Sequence, residues 1–388
     1  MKYDLRLKSY ERLVFEHDNK NLNDDESFFS TFRAKSCTPN YQPVNFGGVR
    51  VFDENSRTIL KELQHVWSHV PRPAPAILRL DGWCVLGRNG IAINPELGVA
   101  FSGQMFGGSI EYLKWHLTTA FGAQWSSDNL SFSFDWAEPE QFTSSIEPVG
   151  FIGMTGQDIF GHWLLDFVPR AHFFRSEVID LLGESPVLAS PFLPPWGRHF
   201  LSVMNFRDVH AIELASDKVL RLRRAYTPTM LKSGYVVDLP RSGAAWRAFV
   251  ANMQRSEMDG PEKIYVSRRR WPTQRPIANE PAIADLAVRR GYRIISPEHY
   301  SLEEQAGLFS KARIIVGEDG SALHNIIYCQ PGARLGVIGR PDRRNFWHFA
   351  FCAGLDHSIA YFECENREGV VSADLDRVDA MLAALETE

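Results

Sequence analysis

Apolar residues follow two different rhythms along this chain, and the change comes near residue 146. Before it, short runs alternate apolar with polar positions, as in Ala76-Ile77-Leu78-Arg79-Leu80 and Leu130-Ser131-Phe132-Ser133-Phe134. A two-residue period predicts strands with one buried face. One stretch breaks that period: Ile59, Leu60, Leu63, Val66 and Trp67 recur at helical spacing with Pro71 soon after, predicting a helix over 56–69. From about 146, strands alternate with helices. The pattern predicts a strand at 149–152, a helix over 161–178, and strands at 187–189, 209–212 and 219–222, together one α/β unit. The stretch from Thr227-Pro228 to Pro240-Arg241-Ser242, rich in turn residues, reads as a linker. A second alternation follows: a helix over 243–255, a strand at 263–267, a helix over 280–290, a strand at 292–295, a helix over 302–311, and a strand at 313–316. It ends with a helix after Gly320, strands at 335–338 and 359–362, and a helix over 373–385. Short apolar strands between amphipathic helices predict a parallel sheet covered on both faces.

A chain of 388 residues exceeds what one hydrophobic core organises. The expected division is a β-rich region over 1–145, a Rossmann-like domain over 146–240 and a second Rossmann-like domain over 241–388. Ligands of such sheets sit at the carboxyl ends of the strands, so a hinge between two α/β units directs attention there. Charge narrows the partners: 42 Lys and Arg against 47 Asp and Glu give a net charge of -5, which draws neither nucleic acid nor an anionic membrane. The five cysteines, Cys37, Cys84, Cys329, Cys352 and Cys364, are odd in number and far apart, and read as reduced thiols. No apolar run approaches the ~20 residues of a membrane span, and the first residues lack a signal-length apolar stretch. The expectation is a cytoplasmic protein without a transmembrane segment.

Three segments carry side chains suited to chemistry. Lys263-Ile264-Tyr265-Val266-Ser267-Arg268-Arg269-Arg270 is a strand that delivers a guanidinium at its end, with Arg275 and Asn279-Glu280 beyond. The planar fork of Arg suits phosphate oxygens, so Arg268 and Arg275 are the candidates; a solvated basic loop has the same composition. Arg313-Ile314-Ile315-Val316-Gly317-Glu318-Asp319-Gly320-Ser321-Ala322-Leu323-His324-Asn325 is a buried strand, a glycine turn and a helix start. Its glycines admit close approach, and exposed amides at a helix start favour a diphosphate without a metal; a purely structural turn shares the pattern. In Gly161-His162-Trp163-Leu164-Leu165-Asp166, four-residue spacing stacks His162 and Asp166 on one helix face. A carboxylate there orients an imidazole that can accept a proton from a hydroxyl, and a structural histidine capped by its neighbour is the plainer reading. Asp374 and Asp376 stand at a helix start, where they cap amides, and no metal is assigned to them. Ser301 and Glu304 form a capping box, which leaves Gln305 as the ligand candidate of that helix.

In order and spacing, the stretch from His162 to Arg170, Ser267-Arg268 with Arg275 and Asn279-Glu280, Glu304-Gln305, and the turn from Val316-Gly317 to Asn325 resemble glycosyltransferase family 61. The resemblance spans roughly 146–340. It implies a GT-B architecture of two Rossmann-like domains facing a cleft, inversion at the anomeric carbon, and a nucleotide-sugar co-substrate, often a UDP-sugar, with no further cofactor. It also implies a glycan acceptor in polysaccharide biosynthesis, with peripheral association to a membrane assembly system. On that pattern His162 and Asp166 are the catalytic candidates. Arg268, Arg275, Asn279, Glu280, Gln305, Gly317, Asp319, Gly320, Ser321 and Asn325 are the donor-binding ones. Two places depart from the family. Asp319 and Ser321 stand where histidine and alanine are common, and a carboxylate beside a diphosphate repels it unless it binds a hydroxyl or points away. The next strand, Leu335-Gly336-Val337-Ile338, lacks the glutamate that usually ends it. The rival functions are a non-catalytic glycan- or nucleotide-binding member of the family and a His-x-x-x-Asp acyltransferase. Acyltransferases of that type follow the aspartate with glycine in a loop, whereas Phe167-Val168 continue a helical pattern.

Overall fold

The computed structural model describes residues 2–8, 35–36, 49–50, 57–62, 65, 75–80, 82–87, 90–94, 99–101, 110–127, 131–135, 140–142, 149–152 and 159–387. Within the last span 183–186, 191, 207–208, 212–213, 216, 223–224, 234–235, 270–276 and 343 lie outside the description. The chain forms two compact units, one from Met1–Tyr41 with Val70–Arg241, the other from Gln42–His69 with Ser242–Glu388.

The second unit is built on continuous apolar runs. Strands Ile314–Glu318, Arg334–Gly339 and Ser358–Glu363 are buried almost end to end, as strands covered on both faces must be. Five strands lie in the order Arg293–Ile295, Lys263–Val266, Ile314–Glu318, Arg334–Gly339, Ser358–Glu363, all parallel, and Val49–Arg50 adds a sixth beside the last. In chain order the five read 2-1-3-4-5. Their direction of travel therefore reverses between Lys263–Val266 and Ile314–Glu318, the point at whose carboxyl ends open α/β sheets bind ligands. Helices Glu280–Arg289 and Leu375–Glu386 bury Ile283, Ala284 and Ala287, and Val378, Met381, Leu382 and Leu385, in one cluster with Tyr265, Val316, Ile338 and Phe362. These positions recur three and four apart, which places them on one stripe of each helix. Each of the larger of these side chains contributes about 1.5–3 kcal/mol by leaving water, and Leu382→Ala would cost about 2–5 kcal/mol. Asp374 accepts amide hydrogens from Asp376 and Arg377, as its place at a helix start predicts. Ser301 and Glu304 form the capping box that opens Leu302–Ser310.

Among the described residues the first unit holds two large sheets and a two-stranded hairpin. In one, Val209–Ala211, Val187–Ser190, Val149–Phe151 and Ala225–Pro228 run parallel, with Ala76–Arg79 and Lys35–Ser36 continuing it antiparallel. The four parallel strands read 3-2-1-4 in chain order, so this sheet too has a switch point, between Val149–Phe151 and Ala225–Pro228. The other is an eight-stranded mixed sheet containing Lys2–Lys8, Cys84–Leu86, Ile91–Asn94 and Ser131–Asp135.

Three expectations need correction. Val219–Leu222 belongs to the mixed sheet, antiparallel to Cys84–Leu86, because Leu220 and Leu222 fill one apolar cluster and Val219 another. The supposed linker is ordered: Ala225–Pro228 is a sheet strand, Lys232–Ser233 pairs with Val236–Val237, and a helix starts at Leu239. Pro240 in that helix's first turn is no obstacle, since its missing N–H would have no helical partner there. After Gly320 the chain forms a 3-10 segment, Ser321–Tyr328, tighter than the α-helix expected. The helix expected over 56–69 is described only in part, with 57–62 and 65 helical.

Candidate functional site

In the first unit, the helical run after Val149–Phe151 begins with Phe160–His162, passes through a π-helical turn at Trp163–Phe167 and continues as Val168–Leu182. The aspartate is thus followed by unbroken helix. His162 Nδ1 and Asp166 Oδ2 are 2.8 Å apart, and both side chains are nearly enclosed, at 11% and 1% exposed. The other carboxylate oxygen, Oδ1, lies 2.5 Å from Nζ of Lys232 on the hairpin that follows Ala225–Pro228. Arg170, fully buried one turn further along, donates from Nε and Nη2 to the carbonyl oxygen of Pro228. Both cations join the helix to the carboxyl end of Ala225–Pro228, on one side of the switch point.

The electrostatics follow from this enclosure. Burial pushes the Asp166 carboxyl up, but the Lys232 charge and the His162 hydrogen bond outweigh it and hold the group below its usual range. Burial pulls Lys232 down against the opposing attraction of Asp166, and brings Arg170 down to about 10. An Nδ1–H bound to a carboxylate fixes the imidazole tautomer and leaves Nε2 as the proton-accepting nitrogen.

In the second unit, Arg268 follows Lys263–Val266 and its Nη1 donates to the carbonyl oxygen of Asp319, 2.9 Å away, across the switch point. The guanidinium lies against Gly320: a Cβ there would come within 2.9 Å of Arg268 Cζ. Gly317 is required by close packing as well, since a Cβ would meet the Val266 carbonyl oxygen at 2.6 Å. Ser267 Oγ donates to Glu280 Oε1 at 2.9 Å, and Arg269 Nε sits 3.2 Å from Glu280 Oε2. Burial raises the Glu280 carboxyl, opposed by Ser267 and Arg269. Burial, with the charge of Glu280 added, raises Glu318 to about 7, against the pull of Arg268.

Asp319 faces elsewhere. Its Oδ2 accepts the Asn345 amide hydrogen at 2.9 Å and its Oδ1 lies 2.9 Å from His348 Nε2, so the carboxylate anchors the start of helix Trp347–Leu355. Gly317, Asp319, Gly320 and Ser321 are therefore gathered with Arg268, and Ser267 links Glu280 to the same strand end. Three other candidates have their amides engaged by backbone: Asn279 exchanges two hydrogen bonds with Ala373, Gln305 Nε2 donates to Tyr300 O, and Asn325 Nδ2 donates to Ala322 O. Arg275 lies outside the described residues. The sequence reading passed over Lys232, Glu318 and His348. An acidic pair, Glu318-Asp319, closing the apolar run Ile314-Ile315-Val316-Gly317 was the available signal for Glu318; nothing in the local pattern marks the other two.

Among the described residues no three His, Cys, Asp or Glu side chains gather as a metal cluster would, and Cys84, Cys329, Cys352 and Cys364 are buried thiols outside any disulfide. Cys37 lies outside the described residues. No described helix is long and apolar enough to cross a membrane.

A search of curated proteins found no match to the chain. Residues 160–336 match the family model described as Glycosyltransferase 61, a segment that begins at the helix bearing His162 and ends within strand Arg334–Gly339. It contains His162, Asp166 and Lys232 in one unit, and Arg268, Glu280 and the Gly317–Ser321 turn in the other. Over this segment, a little under half of the chain, the protein is similar to glycosyltransferase family 61.

Proposed function

We propose that the protein is an inverting, metal-independent glycosyltransferase of GT-B type that moves a sugar from a nucleotide-sugar, a UDP-sugar for preference, to a glycan hydroxyl in cytoplasmic polysaccharide biosynthesis. The acceptor oxygen attacks the anomeric carbon as the bond from that carbon to the diphosphate breaks. The acceptor proton passes to Nε2 of His162, whose Nδ1–H is held by Asp166. Negative charge grows on the departing diphosphate. Arg268 and the backbone amides from Gly320 onward meet it, the Asp319 amide being already donated to the Ile338 carbonyl, and preorganised donors of this kind lower a barrier by about 2.7–4 kcal/mol each.

The observation that carries this reading is the seating of Arg268 on the Asp319–Gly320 turn, at the point where the strand order of its sheet reverses. Open α/β sheets bind ligands at that point, and a guanidinium beside glycine amides is chemistry for phosphate. The carboxylate of Asp319, turned to Asn345 and His348, removes the repulsion that its place in the turn would otherwise bring.

A thermal-shift panel of nucleoside diphosphates and nucleotide-sugars, with chelator present, tests the donor class. Proton NMR of the product then reads the anomeric configuration. The proposal expects stabilisation by one nucleotide class and a product of inverted configuration. Retention, or indifference to every nucleotide, contradicts it.

A further inference from the structure

Asp166 is held from two sides, and only one of its partners has a role so far. His162 takes Oδ2, while Lys232, from a two-residue strand far along the chain, reaches Oδ1 at 2.5 Å with its side chain 4% exposed. Ion pairs this deeply buried add little net stability, because desolvation consumes most of the Coulombic gain. Their structural task is also performed here by a second link, the Arg170 fork on the Pro228 carbonyl. We infer that Lys232 is a positioning residue for the proposed transfer: it clamps Asp166 as an ionised carboxylate, so that His162 keeps its proton on Nδ1 and presents Nε2 as the base.

The physical basis is the competition at Asp166. Burial alone favours the protonated carboxyl, and a protonated carboxyl is a poor acceptor for the imidazole N–H. The Lys232 charge reverses that preference. Among the described residues His162, Asp166, Lys232 and Arg170 share the enclosure, and of these two cations Lys232 is the one in direct contact with the carboxylate. The inference rests on the transferase reading for its consequence in turnover, but not for its consequence in the resting protein.

The test is therefore read first without substrate. In protein labelled with 15N-histidine and assigned through His162→Gln, long-range proton–nitrogen correlations expect His162 as the Nδ1–H tautomer. In Lys232→Met the tautomers mix, and kcat falls about 10- to 100-fold, the range for groups that hold a reacting group in place, while donor affinity stays near wild type. Lys232→Arg retains the tautomer and most of the turnover. In an Asp166→Asn background the change Lys232→Met adds no further loss in kcat, because the inferred effect of Lys232 on His162 runs through that carboxylate. This comparison also serves if Lys232→Met alone does not fold, since no unpaired carboxylate remains. A folded Lys232→Met with unaltered tautomer and kcat, or an additive loss in the Asp166→Asn background, overturns the inference. A protein with no transferase turnover but the expected tautomer response refutes the proposed function and leaves the clamp standing.

Discussion

The guanidinium of Arg268 occupies the space in which Gly320 would carry a side chain, while Nη1 holds the carbonyl oxygen of the preceding residue. Gly320 has extended backbone, so glycine is needed at 320 for contact and not for conformation. Gly320→Ala must push the guanidinium off the turn. Its far end is flexible and half-buried, so stability should change by less than about 1 kcal/mol. Donor affinity should fall by about tenfold or more, the worth of one charge-assisted hydrogen bond to phosphate. Calorimetric titration of nucleoside diphosphate into the variant measures this.

Asp319 gives an opposite expectation for an adjacent position. Because its carboxylate anchors Asn345 and His348, Asp319→Asn should cost about 1–3 kcal/mol in urea denaturation and leave donor affinity unchanged. A carboxylate facing the donor would behave in reverse. Its neutralisation would tighten binding, and that result would contradict the orientation described.

Glu318 predicts a pH dependence. Its carboxyl is raised from 4.5 to about 7 by burial and by Glu280, so the native state favours the protonated form. The resulting stabilisation is complete below about 4.5, the unfolded value, and is lost as pH rises through about 7. Glu318→Gln keeps a neutral group at every pH. Relative to wild type it should gain up to about 3 kcal/mol between pH 4.5 and 8 in denaturation experiments. Parallel curves for the two proteins would contradict the environment assigned to Glu318.

The parallel sheet of the second unit was legible because its strands are continuous apolar runs separated by capped helices, a pattern with few alternative solutions. Val219–Leu222 was not, since an apolar run states that a strand is buried and not which sheet takes it. The turn residues between 227 and 242 misled for a related reason: proline and glycine mark both linkers and the first turns of ordered elements. In the site, the His162 and Asp166 pairing followed from spacing along one helix. Lys232 and His348 reach their carboxylates from distant segments, and no local periodicity reports a contact of that kind. The direction of Asp319 is likewise a tertiary property, set by the loop at Asn345.

The central claim separates two tasks, donor binding by Arg268 and proton acceptance by His162. Measuring donor Kd and kcat side by side for Arg268→Ala and His162→Ala tests that separation. The account predicts that His162→Ala binds donor as wild type does and loses about 10²–10⁴ in kcat, whereas Arg268→Ala loses both affinity and rate. Near-normal turnover in His162→Ala, or undiminished donor affinity in Arg268→Ala, would contradict it.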